Sequence, residues 1–166
     1  DPTSQLGPLI DKAAVKRIDG IVSEAATYGK ILVRGGTPQD PELAAGAFFR
    51  PVLIEVDDVN TPIVQNEVFG PVQTFEVFDD EADAIRRANA TEYGLAAAIF
   101  SRDEFRARRV GRELRVGNVW LNTWGLGTQL IAGDPVKQSG YGTTSGPTAV
   151  HTYQHLKRYG TAEPRH

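Results

Sequence analysis

The sequence predicts an α/β protein, in which βαβ units build a parallel sheet with flanking helices and a glycine-rich C-terminal tail follows. Three observations favour this class. Between residues 72 and 121, β-prone runs alternate with segments of helical periodicity. The connections there are long enough for a helix to cross between parallel strands. Glycines then recur from Gly125 to Gly160, which is typical of turns and loops.

The first half predicts one long helix and two strands. Residues 11–28 place apolar side chains at helical spacing with charged ones on the other side, and Gly29 ends this amphipathic helix. Residues 31–33 form a short apolar strand, and residues 51–56 are β-rich. A loop rich in proline and glycine connects the two strands, and we assign residues 57–66 to turns.

The second half predicts strand, helix, strand, helix, strand. Residues 72–78 are β-prone, and Asp79 with Asp80 supplies an N-cap for a helix that reaches Ala88. The following segments are an apolar strand at 95–100, a helix capped by Ser101 with Glu104, a strand at 117–121 and a short helix at 147–153. This order predicts two right-handed crossovers within one parallel sheet.

Composition excludes several function classes. The chain has no cysteine, so it contains no disulfide, no thiolate metal site and no thiol nucleophile. A net charge of -3 provides no counter-charge for a phosphate backbone, so we expect no nucleic-acid partner. No apolar stretch approaches the roughly 20 residues that cross a bilayer, and the first residues are unlike a signal peptide. We therefore expect no membrane association and a cytoplasmic location.

Three other patterns favour ordinary surface structure. No complete Gly-x-Gly-x-x-Gly fingerprint is present, although Gly125 and Gly140 each begin a partial one. His151 and His155 have the i, i+4 spacing of zinc ligands, but the glutamate typical of such helices is missing. Six arginines between Arg102 and Arg115 are interrupted by acids, which indicates a solvated helix face.

An acid and an aromatic stand close together before the strand at residue 72. Glu67 and Phe69 are two residues apart, and Gly70-Pro71 follows them. One interpretation is an ordinary loop carboxylate and a turn. The other is a ligand site, because an ionised carboxylate can accept two ribose hydroxyls while an aromatic face packs on a flat heterocycle.

Five segments together resemble the aldehyde dehydrogenase superfamily. Residues 67–72 are similar to its Glu-x-Phe-Gly-Pro motif. The other four occur in family order and, with it, cover nearly the whole chain: 7–10 leading into a helix with Arg17 and Ile18, 89–101, 117–122 and 137–142.

The resemblance implies an oxidoreductase that converts an aldehyde into a carboxylic acid with NAD or NADP. In that chemistry a cysteine thiolate attacks the carbonyl, hydride leaves to the cofactor and a general base activates water. The cysteine, the base and the dinucleotide-binding domain would lie upstream of Asp1. The chain is thus expected to be a C-terminal portion that is inactive alone, with no catalytic residue of its own.

The same resemblance assigns roles to residues of this chain. Glu67 would bind the hydroxyls of the nicotinamide ribose, and Phe69 would lie beside the nicotinamide. The substrate-pocket candidates are Asn122, Trp124 and Gly133. Lys137 and Gly140 belong to a loop at the subunit contact, where some relatives hold a potassium ion.

Two segments depart from the family pattern. Residues 132–137 read AGDPVK where the family usually has Pro-Phe-Gly-Gly-x-Lys, so the aromatic wall is lost. Thr143-Thr144 replaces the usual Arg-Glu and removes an ion-pairing opportunity.

The family interpretation divides the chain into two parts. Residues 1–122 would be the C-terminal part of the catalytic α/β domain. Residues 123–166 would contain the glycine-rich loop, the short helix and a tail that ends in an oligomerisation strand, which implies a homo-oligomer, a dimer or a tetramer. A competing hypothesis is a stand-alone binding or interaction domain that keeps the fold without the chemistry.

Overall fold

A computed structural model describes residues 5–126 and 131–162. In chain order the helices and strands are α1 (Lys12–Ala25), β1 (Lys30–Val33), α2 (Pro41–Ala45), β2 (Val52–Glu55), α3 (Pro62–Gln65), β3 (Val72–Phe75), α4 (Glu81–Ala88), β4 (Tyr93–Gly94), β5 (Ala96–Ile99), α5 (Glu104–Glu113), β6 (Asn118–Leu121) and β7 (Val136–Lys137). A 3-10 helix follows at Pro147–Tyr153.

The structure separates into two compact units, residues 1–91 and 92–166. The division differs from the predicted boundary between residues 122 and 123, which stays a prediction about the whole protein. No helix within the described ranges is long and apolar enough to cross a membrane.

The first unit is built around one apolar core. It contains α1 to α4 and a three-stranded sheet of order β1-β2-β3. The buried core combines one face of α1 with β2 and α3, through Ile18, Val22, Ala25, Phe49, Val52, Ile54, Val56 and Ile63. Burial of this apolar surface is the main term that stabilises the unit.

The sheet of this unit is mixed, whereas the sequence predicted a parallel one. β2 and β3 are parallel, with Val52 opposite Val72 and Glu55 opposite Phe75. β1 runs antiparallel to β2 because the connection between them places their ends side by side, with Lys30 opposite Glu55. β3 ends at Phe75, three residues before the predicted end.

The second unit contains the parallel pair β5-β6 and the short antiparallel pair β4-β7. The predicted crossover through α5 is confirmed, with Ala96 opposite Asn118 and Ile99 opposite Leu121. The predicted crossover through α4 was wrong: β3 pairs with β2, so the parallel pair of the first unit forms around α3 instead. The described tail residues 154–162 form no strand, residues 163–166 lie outside the described ranges, and the terminal oligomerisation strand stays a prediction.

Aspartates begin the three longest helices. The side chains of Asp11, Asp80 and Asp103 each accept a hydrogen bond from the backbone N–H three residues later. The predicted capping box for α5 was wrong because Ser101 lies too far ahead of the helix. Its hydroxyl oxygen instead accepts from the Asp103 N–H at 3.1 Å, so that Asp103 takes the cap position.

Candidate functional site

The loop at residues 66–71 connects α3 to β3 and carries both predicted cofactor residues. Its start is fixed by Asn66, whose backbone N–H and side-chain amide both donate to the Pro62 carbonyl at 2.9 Å. Its end is a tight turn in which the Val72 N–H donates to the Gly70 carbonyl at 2.8 Å. Both ends of the loop are therefore held by secondary structure.

Phe69 has a left-handed backbone, with φ of 52°. An L-residue with a bulky side chain rarely adopts this conformation, because its Cβ crowds the backbone. The ring gains little packing in return, since 79% of Phe69 is exposed. Uncommon backbone geometry at an exposed aromatic is a feature of binding sites.

Glu67 is exposed beside it and makes no hydrogen bond or ion pair within the described ranges. Together with Phe69 it borders a cleft of about 360 Å³, whose lining is Ile63, Asn66, Glu67, Val68, Phe69, Gly70, Val72 and Thr74. An unpaired carboxylate can accept hydrogen bonds from two adjacent hydroxyls, and an unpacked ring can cover a flat heterocycle. The structure therefore brings the two predicted cofactor residues to one cleft, while their roles in binding stay predictions.

Helix α1 contacts this loop through one hydrogen bond and one packed side chain. The Arg17 guanidinium Nη2 donates to the Val68 carbonyl at 2.9 Å. A Cβ on Gly70 would lie 2.3 Å from the Cδ1 atom of the buried Ile18 side chain, so a larger residue here would force Ile18 to shift. Sequence analysis placed Arg17 on the helix but missed this contact, since 51 residues separate the partners.

In the second unit, Trp124 and Gly133 line one pocket of about 240 Å³. The rest of its lining is Leu95, Ala96, Asn118, Trp120, Ile131, Thr144 and Ser145. Trp124 is 65% exposed, and its ring centroid lies 4.8 Å from that of Trp120. Two tryptophans thus line the pocket, and no charged side chain lines it among the residues that the structure describes.

Gly133 also lines this pocket. It pairs with Thr144 through two backbone hydrogen bonds of 3.2 Å. A Cβ at this position would lie 2.2 Å from the Oδ1 atom of Asn118, so a side chain here would displace Asn118. Sequence reasoning missed Asn118 and Trp120 as lining residues, although the alternation of side chains along β6 puts both on one face.

Asn122 does not line the tryptophan pocket. It follows β6 with a left-handed φ of 54°, and its side-chain Oδ1 accepts a hydrogen bond from the Ser101 N–H at 2.8 Å. Asn122 thereby holds the end of β6 to the segment after β5. A role on the substrate side stays a prediction.

Lys137 and Gly140 belong to a turn at the end of β7. Lys137 lies opposite Tyr93 and has a left-handed φ of 55°, while Gly140 has φ of 125°. The Ser139 hydroxyl oxygen accepts from the Gly94 N–H at 2.9 Å and ties the turn to β4. A potassium contact at this turn stays a prediction.

The histidine and arginine patterns show no ligand site. The 3-10 helix ends at Tyr153, so His151 and His155 do not share a helix face, and His151 Nδ1 contacts Gln154 Oε1 at 3.2 Å. Within residues 5–126 and 131–162, no three His, Asp or Glu side chains are placed to hold a metal ion.

The pKa of the Asp83 carboxyl is lowered, and this residue lies outside both clefts. Hydrogen bonds from Arg87 and then Arg86 lower the pKa of Asp83, and the contact with Asp83 raises the pKa of Arg87. Arg87 also donates to the Asp57 carbonyl at 2.9 Å. This network joins α4 to the β2–α3 connection and has a structural role.

Comparison with known proteins gives a consistent result. A sequence profile described as "Aldehyde dehydrogenase family" matches residues 1–159. Betaine aldehyde dehydrogenase of Sinorhizobium fredii is 38% identical over 158 residues, which are 95% of this chain and 32% of that protein. Succinate-semialdehyde dehydrogenase of Paenarthrobacter nicotinovorans is 38% identical over 164 residues, which are 99% of this chain and 36% of that protein.

The structural comparison agrees. The structure of betaine aldehyde dehydrogenase from Staphylococcus aureus in complex with NAD+ superimposes with a TM-score of 0.84 and 37% identity, covering 92% of this chain and 31% of that one. The chain therefore spans about a third of the length of these relatives.

Proposed function

This chain belongs to the aldehyde dehydrogenase family, and we propose that it supplies the nicotinamide-ribose loop and part of the substrate pocket of an NAD(P)-dependent aldehyde dehydrogenase. The observation that carries the proposal is the pairing of Glu67 and Phe69 at one cleft, an unpartnered carboxylate beside an unpacked ring. The chain then acts as the C-terminal portion of a longer enzyme.

Each residue of the loop has a binding role in this proposal. The Glu67 carboxylate accepts hydrogen bonds from the two ribose hydroxyls, which fixes the sugar and with it the orientation of the attached ring. The Phe69 ring covers one face of that ring and excludes water from it. A bound NAD(P)+ would supply the hydride acceptor. The thiol nucleophile must come from outside these 166 residues, because the chain has no cysteine.

The first test replaces the carboxylate in the complete enzyme. Glu67→Gln keeps the shape but loses the charge, and the loss of one charge-assisted hydrogen bond lowers the rate of hydride transfer by about 10- to 100-fold. Glu24→Gln, an exposed glutamate on α1, is the matched control and leaves the rate unchanged. Single-turnover kinetics and a melting temperature are measured for both variants. An unchanged rate in well-folded Glu67→Gln would show that Glu67 is an ordinary loop residue.

The isolated chain is proposed to be inactive. Without a thiol, no covalent thiohemiacetal forms. Purified chain is mixed with NAD+, NADP+ and a panel of aldehydes, and the absorbance of the reduced cofactor is followed. Turnover above a protein-free control would contradict the proposal.

The tryptophan pocket favours an aldehyde with a quaternary ammonium group. A cation over a tryptophan face is attracted by the ring quadrupole, whereas a substrate carboxylate would need a cationic side chain, which the lining lacks. One relative acts on betaine aldehyde, which carries a trimethylammonium group, and another on succinate semialdehyde, which carries a carboxylate. The pocket supports the first chemistry.

Trp120 and Trp124 are the only tryptophans of the chain, so tryptophan fluorescence, excited at wavelengths that tyrosine does not absorb, reports on this pocket alone. Tetramethylammonium is expected to change the emission of the chain, while sodium chloride at equal ionic strength and neutral tert-butanol leave it nearly constant. In Trp124→Leu the response to tetramethylammonium is lost. An equal response to all three additives, or to succinate, would contradict the quaternary-ammonium assignment.

Two further parts of the proposal concern assembly. The tail at residues 123–166 is proposed to pack on other subunits of a homo-oligomer, because residues 154–162 are exposed and belong to no strand. The turn at Lys137 and Gly140 is proposed to lie at that contact, with potassium as its candidate ion.

A further inference from the structure

Helix α1 contacts the 66–71 loop through two consecutive residues. Arg17 donates to the Val68 carbonyl at 2.9 Å, and Ile18 packs so closely under Gly70 that an added Cβ would displace its Cδ1 atom. These two contacts lie on the two sides of Phe69. The helix therefore holds the residue before Phe69 by a hydrogen bond and the residue after it by packing.

The backbone conformation of Phe69 depends on these two contacts. A left-handed φ of 52° is unfavourable for phenylalanine and persists only where the surroundings determine it. Packing of the Phe69 ring does not fix this backbone conformation, because 79% of the residue is exposed. The backbone must therefore be fixed through its neighbours, Val68 and Gly70.

Arg17 and Ile18 contribute differently. Ile18 is fully buried in the core of the first unit, so its role in packing is general. Arg17 is exposed, and it holds the loop through its hydrogen bond to the Val68 carbonyl. A change at Arg17 therefore alters the loop without opening the core.

We propose that Arg17 is a positioning residue, which sets the directions of Glu67 and Phe69 by holding the carbonyl between them. The proposal rests on the ribose-binding function proposed above and adds the residue that orients that site. Arg17 acts through the backbone of Val68 rather than through contact with the reacting atoms.

Three variants of the 166-residue chain test the positioning role. Arg17→Met removes the donor and keeps the length of the side chain, Arg17→Lys restores one donor, and Lys16→Met removes a neighbouring exposed charge of α1. Two NMR signals report on the loop: the three-bond coupling that reads φ of Phe69, and the exchange rate of the Val72 amide, which donates to the Gly70 carbonyl.

The expected NMR results distinguish the hydrogen bond of Arg17 from the mere loss of a positive charge on α1. Arg17→Met moves φ of Phe69 out of the left-handed range and speeds Val72 exchange about 2- to 10-fold, the effect of one lost hydrogen bond. Arg17→Lys restores part of both signals. Lys16→Met matches the wild type, and the melting temperatures of Arg17→Met and Lys16→Met stay alike.

In the complete enzyme, Arg17→Met is expected to raise the KM for NAD+ and to lower hydride transfer less than Glu67→Gln does. An unchanged Phe69 coupling and Val72 exchange in Arg17→Met would overturn the positioning role, as would an equal effect of Lys16→Met. If the loop signals change as expected but Glu67→Gln binds and reacts like the wild type, the ribose function fails while the hold of Arg17 on the loop stands.

Discussion

At the scale of single residues, the 66–71 loop can pack closely on α1 because Gly70 has no Cβ atom. Gly70 has no positive φ, so an alanine could adopt its backbone, but the added Cβ would meet the Ile18 Cδ1 atom at 2.3 Å. Ile18 is fully buried and cannot turn away into solvent. The size of residue 70 is therefore limited by packing and not by the backbone.

This limit predicts a coupled pair of substitutions. Gly70→Ala is expected to lower the free energy of unfolding by about 1 to 3 kcal/mol through overpacking. Ile18→Val alone costs about 0.5 to 1.5 kcal/mol. Because valine lacks the Cδ1 atom, the double variant should lose less than the sum of the two, by at least about 0.5 kcal/mol. Urea unfolding of the wild type, the two single variants and the double variant measures these free energies.

The control for backbone effects is Gly20→Ala. Gly20 lies within α1 with no atom within 4 Å of an added Cβ, so alanine there should raise stability by up to about 1 kcal/mol through helix propensity. Additive effects of Gly70→Ala and Ile18→Val would contradict the contact.

Residue identities in the loop were predictable from sequence, whereas their support was not. Glu67 and Phe69 were named from the motif, and the structure brings them to one cleft. No local pattern indicated that Phe69 has a left-handed backbone, because such a conformation is imposed by distant contacts. Arg17 was missed as a partner for the same reason, since its acceptor is 51 residues away.

At the scale of elements, α4 is held by a charged network as well as by its cap. Asp83 accepts from Arg87 Nε at 2.8 Å and also from Arg86, and both Asp83 and Arg87 have about a fifth of the side chain exposed. Arg87 extends the network to Glu76 at 3.4 Å. These contacts favour the ionised form of Asp83 in the folded chain, which is why its pKa lies below the usual value.

A pH dependence follows from the direction of this shift. A carboxyl whose pKa is lower in the folded state stabilises the fold above its unfolded pKa of about 3.9, and that stabilisation is lost as the pH falls through the folded value. Asp83→Asn should therefore lower the melting temperature at neutral pH, and the difference from wild type should shrink toward about pH 2. Asp19→Asn, an exposed position on α1, is the control. A difference that stayed constant over this range would show that Asp83 acts through shape rather than charge.

The elements themselves show what pattern and propensity can predict. α1, α4 and α5 were predicted because their apolar spacing is a local signal, and for α4 the acidic cap was a second one. α2 and α3, with five and four residues, are too short to show a period. β4 and β7 were missed because a two-residue strand exists only through its pairing with a distant partner. The predicted crossover from β3 to β5 was wrong because strand pairing depends on packing, which alternation does not encode.

At the scale of the whole molecule, the two units differ in how much apolar surface they bury. Among the described residues, nine of the ten buried hydrophobic side chains belong to residues 1–91, and Ala107 is the one in the second unit. Both units expose large apolar side chains, and those of the second unit include Tyr141 at 98% and Leu156 at 100%. At roughly 25 cal/mol per Å² of apolar surface, covering these side chains would add stability that the isolated unit lacks.

The last prediction is that the chain self-associates through its tail. Tyr153, Leu156 and Tyr159 are all more than four-fifths exposed, and residues 154–162 leave their backbone donors and acceptors unpaired by any strand. Exposed backbone with apolar side chains favours pairing with another chain. Light scattering over a wide concentration range should show a mass above the 18.1 kDa of one chain, and the mass should rise with concentration.

Leu156→Asp together with Tyr159→Asp should shift the measured masses toward that of the monomer, because a carboxylate at such a contact would be desolvated without a partner. Ile10→Asp, at a 94% exposed position in the first unit, is the matched control and should leave association unchanged. A mass of one chain at every concentration would contradict the prediction, and equal effects of the tail and Ile10 variants would place the contact elsewhere.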